Sequence, residues 1–371
     1  MPKSPYIDRL RLAIDQAVDS STRGMRRAEL AACFARLGEF DDAEIEIASL
    51  RTEFGDGRSG RVSIMIMCAE AQLIYYKNLG DQARDRMMRA QLLSVAGRDA
   101  GLSALTSAWL AHISFNLHRH EELVRAAKTC IDTISAPDHD AASRLALTLG
   151  DAFYAADQAD VGNRWYSKAH EHAIKLGDHA TIGALTYNRA AMGTFMARIR
   201  AVDGAIDQDT ITRLSGEVRT AINYQAIAQL NSLQPLLDYT LASTHILAGR
   251  YAEALEPLST LAESKPSTSP IERSSVIQCD LALCLARAGR IDEAKAAALA
   301  VSPDRLVACT ADDQVVALSA LSEAARLSGL TAESANAESN LGVARAEHGR
   351  NVLALRGALS AFSGADALGR L

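Results

Sequence analysis

Amphipathic stretches of this chain break at Gly38, Gly80, His118, Asp157, Arg198, Gly249, Gly289 and Gly329, at intervals of 42, 38, 39, 41, 51, 40 and 40 residues. A fixed period of this length means that one supersecondary unit is stacked along the chain, which decides the fold before any single helix is read. Four breaks are near copies: Gly38-Glu-Phe-Asp-Asp-Ala43, Gly249-Arg-Tyr-Ala-Glu-Ala254, Gly289-Arg-Ile-Asp-Glu-Ala294 and, more loosely, Gly329-Leu-Thr-Ala-Glu-Ser334. In each, a glycine closes one helix in the left-handed region, and the acidic residues after it favour the positive N-terminal end of the next helix. The unit is a helical hairpin.

Seven residues before the breaks stand Ala31, Leu73, Ala111, Gly150, Ala191, Ala242, Ala282 and Ser322, all small except Leu73. A small residue is needed where neighbouring helices approach closely. One position earlier come Leu30, Gln72, Leu110, Leu149, Ala190, Leu241, Leu281 and Leu321, which supply bulk beside the close contact. The second helices carry a stripe of their own, with Leu50, Leu92, Cys130, Ala169, Leu261, Val301 and Leu341 twelve residues after the break in every unit but the fifth. A lone hairpin cannot bury both stripes, so successive hairpins must stack into a solenoid. Composition agrees: 68 of the 371 residues are alanine, 8 are proline and 5% are aromatic, which suits close helix packing and excludes an all-β fold.

The sixth unit has Leu241, Ala242, Gly249, Tyr251, Ala254, Leu258, Leu261 and Pro266 at the spacing of tetratricopeptide repeats, and the chain resembles that family over about residues 22–348. A typical repeat has 34 residues. The units here are near 40, similar to the elongated variety in sensor domains of bacterial transcription activators and in peptide-pheromone receptors. Asp238 and His245 stand where the family prefers aromatics, and Asp85 and Asp203 replace the usual alanine of the second helix. The resemblance implies an all-α fold, a right-handed α-solenoid of about eight hairpins with N- and C-terminal capping helices. Residues 1–21 would hold the first cap, with Ile7, Leu10, Ile14, Ala17 and Val18 on one side of a helix from Pro5 to Asp19. Residues 349–371 would hold the second, with Val352, Leu355, Leu359 and Phe362 covering the last hairpin ahead of a loose tail. Linkers are expected at Phe54 to Arg61, Ala136 to Asp138 and Lys265 to Pro270. The 51-residue interval places an insertion of about eleven residues within 199–213.

The balance of 39 Lys and Arg against 45 Asp and Glu, a net charge of −6, disfavours a coat for nucleic acid or for an anionic membrane. All the net acidity lies in residues 201–371, which hold 14 basic and 20 acidic residues. Met1 to Leu10 lacks a basic region followed by an apolar one, and no run of 18 apolar residues occurs, so a cytoplasmic protein is expected. Six cysteines, at 33, 68, 130, 279, 284 and 309, form no Cys-x-x-Cys pair and read as small buried hydrophobes.

Local motifs supply no chemistry. Gly55-Asp-Gly57-Arg-Ser-Gly60 matches a dinucleotide fingerprint but follows a helix rather than a strand, so it reads as a helix stop and a loop. His170 with His172, and His118 with His120, are two apart; on a helix such residues point about 200° apart and cannot easily chelate one ion. Asp41-Asp42 and Asp312-Asp313 read as helix-start residues. Neither catalytic residues, a metal nor a cofactor is expected.

The inner face of a right-handed superhelix, which the resemblance places ten, six and three residues before each break, is more informative. It carries His112 and Phe115 in the third unit and Asp151 and Tyr154 in the fourth, with Arg144 a turn earlier. Asn188 and Met192 follow in the fifth, and Tyr239 and Ser243 in the sixth. Aromatic and Met side chains supply contact area while the polar ones fix direction, as on peptide-binding surfaces. The expectation is a non-catalytic interaction module that takes a peptide or protein segment in its groove, as an adaptor or ligand sensor in bacterial regulation. A small-molecule ligand and a homo-oligomer are compatible with it; direct nucleic-acid or membrane binding is not expected. A self-assembling scaffold and an all-α enzyme are the alternatives from other classes.

Overall fold

The computed structural model describes residues 4–55, 60–136, 138–204, 206–230, 233–263, 274–364 and 368–371, and among these every regular element is a helix. The expected stretches at 56–59, Pro137 and Lys265 to Pro270, with Gly57 of the glycine motif and Pro266 of the sixth unit, lie outside the described residues. After α1 (Pro5–Asp15) come α2 (Ser20–Leu37) and α3 (Phe40–Phe54), then α4 (Gly60–Lys77) and α5 (Asp81–Ala96), then α6 (Ala100–Asn116) and α7 (His120–Thr133). The fourth and fifth hairpins are α8 (His139–Ala155) with α9 (Ala159–Leu176) and α10 (His179–Ala201) with α11 (Gln208–Ala228). The last three pair α12 (Gln234–Leu247) with α13 (Tyr251–Glu263), α14 (Ser274–Arg287) with α15 (Ile291–Leu299), and α17 (Ala311–Leu327) with α18 (Thr331–Ala358). A short α16 (Pro303–Val307) precedes the last pair, and a 3-10 turn, Leu359–Phe362, follows it. The chain is an all-α solenoid of stacked hairpins.

The turns follow the chemistry read from the repeat. Gly38, His118, Asp157, Gly249, Gly289 and Gly329 are all left-handed, with φ between 55° and 81°. At each, the next amide donates to the carbonyl five residues back, as from Glu39 to Phe34 at 3.0 Å and from Arg290 to Leu285 at 2.9 Å. This closure satisfies carbonyls that the end of a helix would leave bare. First helices open on aspartate caps: Asp19 accepts from the amide of Thr22, Asp99 from Leu102 and Asp178 from Thr181.

Two breaks differ from expectation. Gly80 is extended (φ −179°) and serves as the N-cap of α5 instead of closing α4 in the left-handed region. Arg198 lies inside α10, which runs on to Ala201. The next helix begins only where the side chain of Asp207 accepts from the amide of Thr210 at 2.7 Å and starts α11. The extra length of this unit is therefore mostly helix, with 23 residues in α10 and 21 in α11.

Close approach is most evident in the fourth hairpin. A Cβ on Gly150 would fall 2.4 Å from the Tyr166 ring, and one on Gly162 would fall 2.6 Å from Tyr154. Ala31, Ala111, Ala242 and Ala282 are likewise fully buried at the same repeat position.

Both ends of the solenoid reach back to its middle. Arg36, near the end of α2, pairs with Asp178 at the start of α10 at 3.2 Å and lies 4.0 Å from Asp140 on α8. The apolar cluster of the first hairpins takes in Leu230, with Leu176, Ala180 and Tyr224 packed against it. At the other end α18 has 28 residues, about 42 Å at 1.5 Å per residue, enough to leave its own hairpin behind. Leu355, Leu359 and Phe362 are buried as expected, but in the core of the third and fourth hairpins rather than over the eighth. There Trp165 Nε1 donates to the carbonyl of Phe362 at 3.2 Å, and Arg356 to that of Ala156 at 3.0 Å.

Candidate functional site

The first helices α6, α8, α10 and α12 carry all nine residues expected to line the groove. Six of them, His112, Arg144, Asp151, Tyr154, Tyr239 and Ser243, are buried; Phe115, Asn188 and Met192 are half-buried. Several of these side chains bond from one first helix to the next.

Asp151 is the centre of the first group. Asn188 Nδ2 donates to both of its oxygens, at 2.9 Å and 3.1 Å, and the Tyr166 hydroxyl also donates to it. Burial pushes the Asp151 carboxyl up to about 7, against the opposing pull of these donors. Tyr154 donates to Asn163 at 2.9 Å, and its ring lies 5.4 Å from that of Tyr166. His112 meets Thr148 through Nδ1 at 3.2 Å and lies edge-on to Trp109 and Tyr75; burial holds its imidazole well below the usual histidine range. Arg144 lies over Trp109 with its guanidinium 4.0 Å from the ring centre. Phe115 and Met192 pack at the margin of this same core.

Tyr239, which belongs to a separate core cluster, and Ser243 form a second group. Both surround Arg198, whose Nη1 lies 3.1 Å from the Tyr239 hydroxyl and 3.3 Å from Ser243 Oγ. Arg198 in turn makes a two-pronged ion pair with Asp280, the Nη1 to Oδ2 distance being 2.6 Å. The sequence reading did not find Arg198, Asp280, Trp109 or Tyr166. Arg198 falls at the interval of a break, but Met196, Ala197 and Ile199 continue the helix period through it.

The histidines do not act in the pairs that sequence proximity suggests. His172 faces His139 with the two Nδ1 atoms 3.0 Å apart, and His179 Nδ1 lies 2.7 Å from the Tyr224 hydroxyl. Among the described residues no three His, Cys, Asp or Glu side chains are placed to hold a metal ion. The thiols of Cys33, Cys68, Cys130, Cys279 and Cys284 are buried, and burial pushes that of Cys68 up to about 12. They are packing residues. Among the described residues no helix is long and apolar enough to cross a membrane.

Hairpins of this period, turn geometry and close contact define a tetratricopeptide-like helical repeat fold. The fold is similar to that in the crystal structure of a Rap protein complexed with Competence and Sporulation Factor. The TM-score is 0.59 at 11% identity, over 89% of this chain and 99% of that one. No family model and no curated protein matches the sequence.

Proposed function

We propose that this chain is a non-catalytic interaction module with elongated tetratricopeptide-type repeats, taking a peptide or protein segment on its inner helix face as an adaptor or ligand sensor in bacterial regulation, in the cytoplasm. The observation that carries the reading is the meeting of Asp151 and Asn188 from different hairpins, beside the half-buried Phe115 and Met192. Fixed polar direction next to adaptable apolar area suits recognition of an extended segment. The likeness to a Rap protein that carries a bound factor supports the same use of the fold. Because most of the inner residues are buried, occupancy requires neighbouring hairpins to part slightly, a motion that nearest-neighbour stacking permits.

The test retains peptides from a fractionated extract of the source cells and their medium on immobilised protein, and identifies them by mass spectrometry. The reading expects a sequence held by the wild type and lost from Asn188→Ala/Met192→Ala at unchanged helical content. Equal retention by both proteins, or no retention by the wild type, overturns it.

A further inference from the structure

The C-terminal turn shows how this fold holds a helix on its outer side. It rests on α7, α8 and α9: Leu359 and Phe362 enter the shared core, Arg356 donates to the carbonyl of Ala156, and Arg370 pairs with Asp132 at 2.8 Å. The seat is made of one second helix and the whole of the next hairpin. Two hairpins earlier the same set of helices, α3, α4 and α5, lines an open cleft of about 300 Å³. Its floor is apolar, with Ile47, Leu73 and Ile74. Among the described residues nothing fills it.

The buried positions of the repeats set the correspondence between the two. Ala83, Met87 and Ala90 of α5 match Gly162, Tyr166 and Ala169 of α9, so Arg86 stands where the occupied seat has Trp165. On the preceding second helix Ile47 and Leu50 match Ala127 and Cys130, which puts Arg51 in the place of Ile131. The open cleft therefore keeps the form of the seat and exchanges two apolar walls for two cations. Both reach one carboxylate, that of buried Glu70: Arg51 through Nε, and Arg86 at 3.3 Å. Glu44 at the rim is already paired with Lys77. Two guanidiniums on one carboxylate leave a positive charge over, and the Arg51 and Arg86 side chains stay 55% and 34% exposed. The chain's own tail is unsuited to this cleft, since Arg356 and Arg370 would meet like charge there.

We propose that the cleft between α3 and α5 docks a short amphipathic helix of another protein, with apolar side chains on the floor and a carboxylate on Arg51 and Arg86. The helix lies as Leu355, Leu359 and Phe362 lie on their seat, with anchors at i, i+4 and i+7. The site is on the outer side and does not depend on what the inner face binds.

The test selects a library of twelve-residue peptides on the immobilised full chain, with Leu, Leu and Phe fixed at the third, seventh and tenth positions and the rest random. Selected peptides are expected to carry Asp or Glu beside the fixed residues, to lose about tenfold in affinity for Arg86→Gln, and to be released by Ala48→Glu. Ala48 is exposed on α3 at the mouth of the cleft, so both variants are expected to melt with the wild type. Asn188→Ala/Met192→Ala should leave the peptides bound. Peptides that ignore Ala48→Glu, peptides without an acidic residue, or a selection that yields none overturn the proposal. Binding lost on Asn188→Ala/Met192→Ala overturns it too, by assigning the peptides to the inner face. Sedimentation of the chain alone is expected to show a monomer, and a dimer abolished by Ala48→Glu would overturn the proposal by making a second copy the occupant.

Discussion

Arg198 reaches from α10 past α12 to Asp280 on α14, so that one buried ion pair joins first helices of three consecutive hairpins through Tyr239 and Ser243. Removing one member of such a pair leaves the other charge stranded, at a cost of about 3–5 kcal/mol, whereas replacing both with apolar residues of similar volume is far milder. Asp280→Ala is therefore expected to lower the urea midpoint sharply. Arg198→Met/Asp280→Leu should recover most of that loss. A double variant as unstable as the single one would show that the charges themselves are needed.

The contact between Arg36 and Asp178 holds the first hairpin against the fifth. Asp178 also caps α10 by accepting from Thr181, a task that asparagine performs as well. Asp178→Asn thus weakens the ion pair and spares the cap. Amide exchange is expected to quicken in α1 and α2 and to stay unchanged in the first turn of α10. Unchanged exchange in α1 and α2 would show that apolar contacts alone close this side.

Asp151 gives a pH dependence whose sign is fixed by its environment. With the folded carboxyl pushed up to about 7 by burial, the folded state holds a proton that the unfolded chain releases near the ordinary carboxylate range. Its contribution to stability is full below that range and is lost as pH rises towards 7. Burial raises Asp140 too, in the same direction. Asp151→Asn should flatten the fall in melting temperature between about pH 4 and 7 without abolishing it. An unaltered slope would place the proton elsewhere.

Trp165 reports on the far end of the chain, since its indole donates to Phe362 and it is fully buried. Ending the chain after Ala358 removes Leu359 and Phe362 from the core of the third and fourth hairpins. In a Trp109→Phe background, the emission of Trp165 is expected to move to longer wavelength and the melting temperature to fall by several degrees. Unshifted emission would show that the end of the chain does not seal this core.

The local rules of this fold were legible because each depends on a few neighbouring residues. The left-handed turns at Gly38, Gly249, Gly289 and Gly329 announce themselves by glycine, and those at His118 and Asp157 by spacing alone. The long fifth hairpin was misplaced because Arg198 falls at the right interval, while the true start of α11 is written in Asp207 and Thr210. Long-range closure left no mark: nothing at Arg36 names Asp178, 142 positions later. The residues expected on the inner face all fall on first helices, and Asp151 meets Asn188. How far that face is buried depends on superhelical curvature, a sum of small rotations that no single unit encodes.

The return of α18 to the third and fourth hairpins alters what kind of object this protein is. An open string of modules tolerates gaining or losing one, because each feels only the next. Here the far terminus is fastened to the middle, so the number of modules is fixed by geometry. Excising one hairpin would carry Phe362 away from Trp165, and the molecule should melt as one cooperative body instead of fraying from its tips.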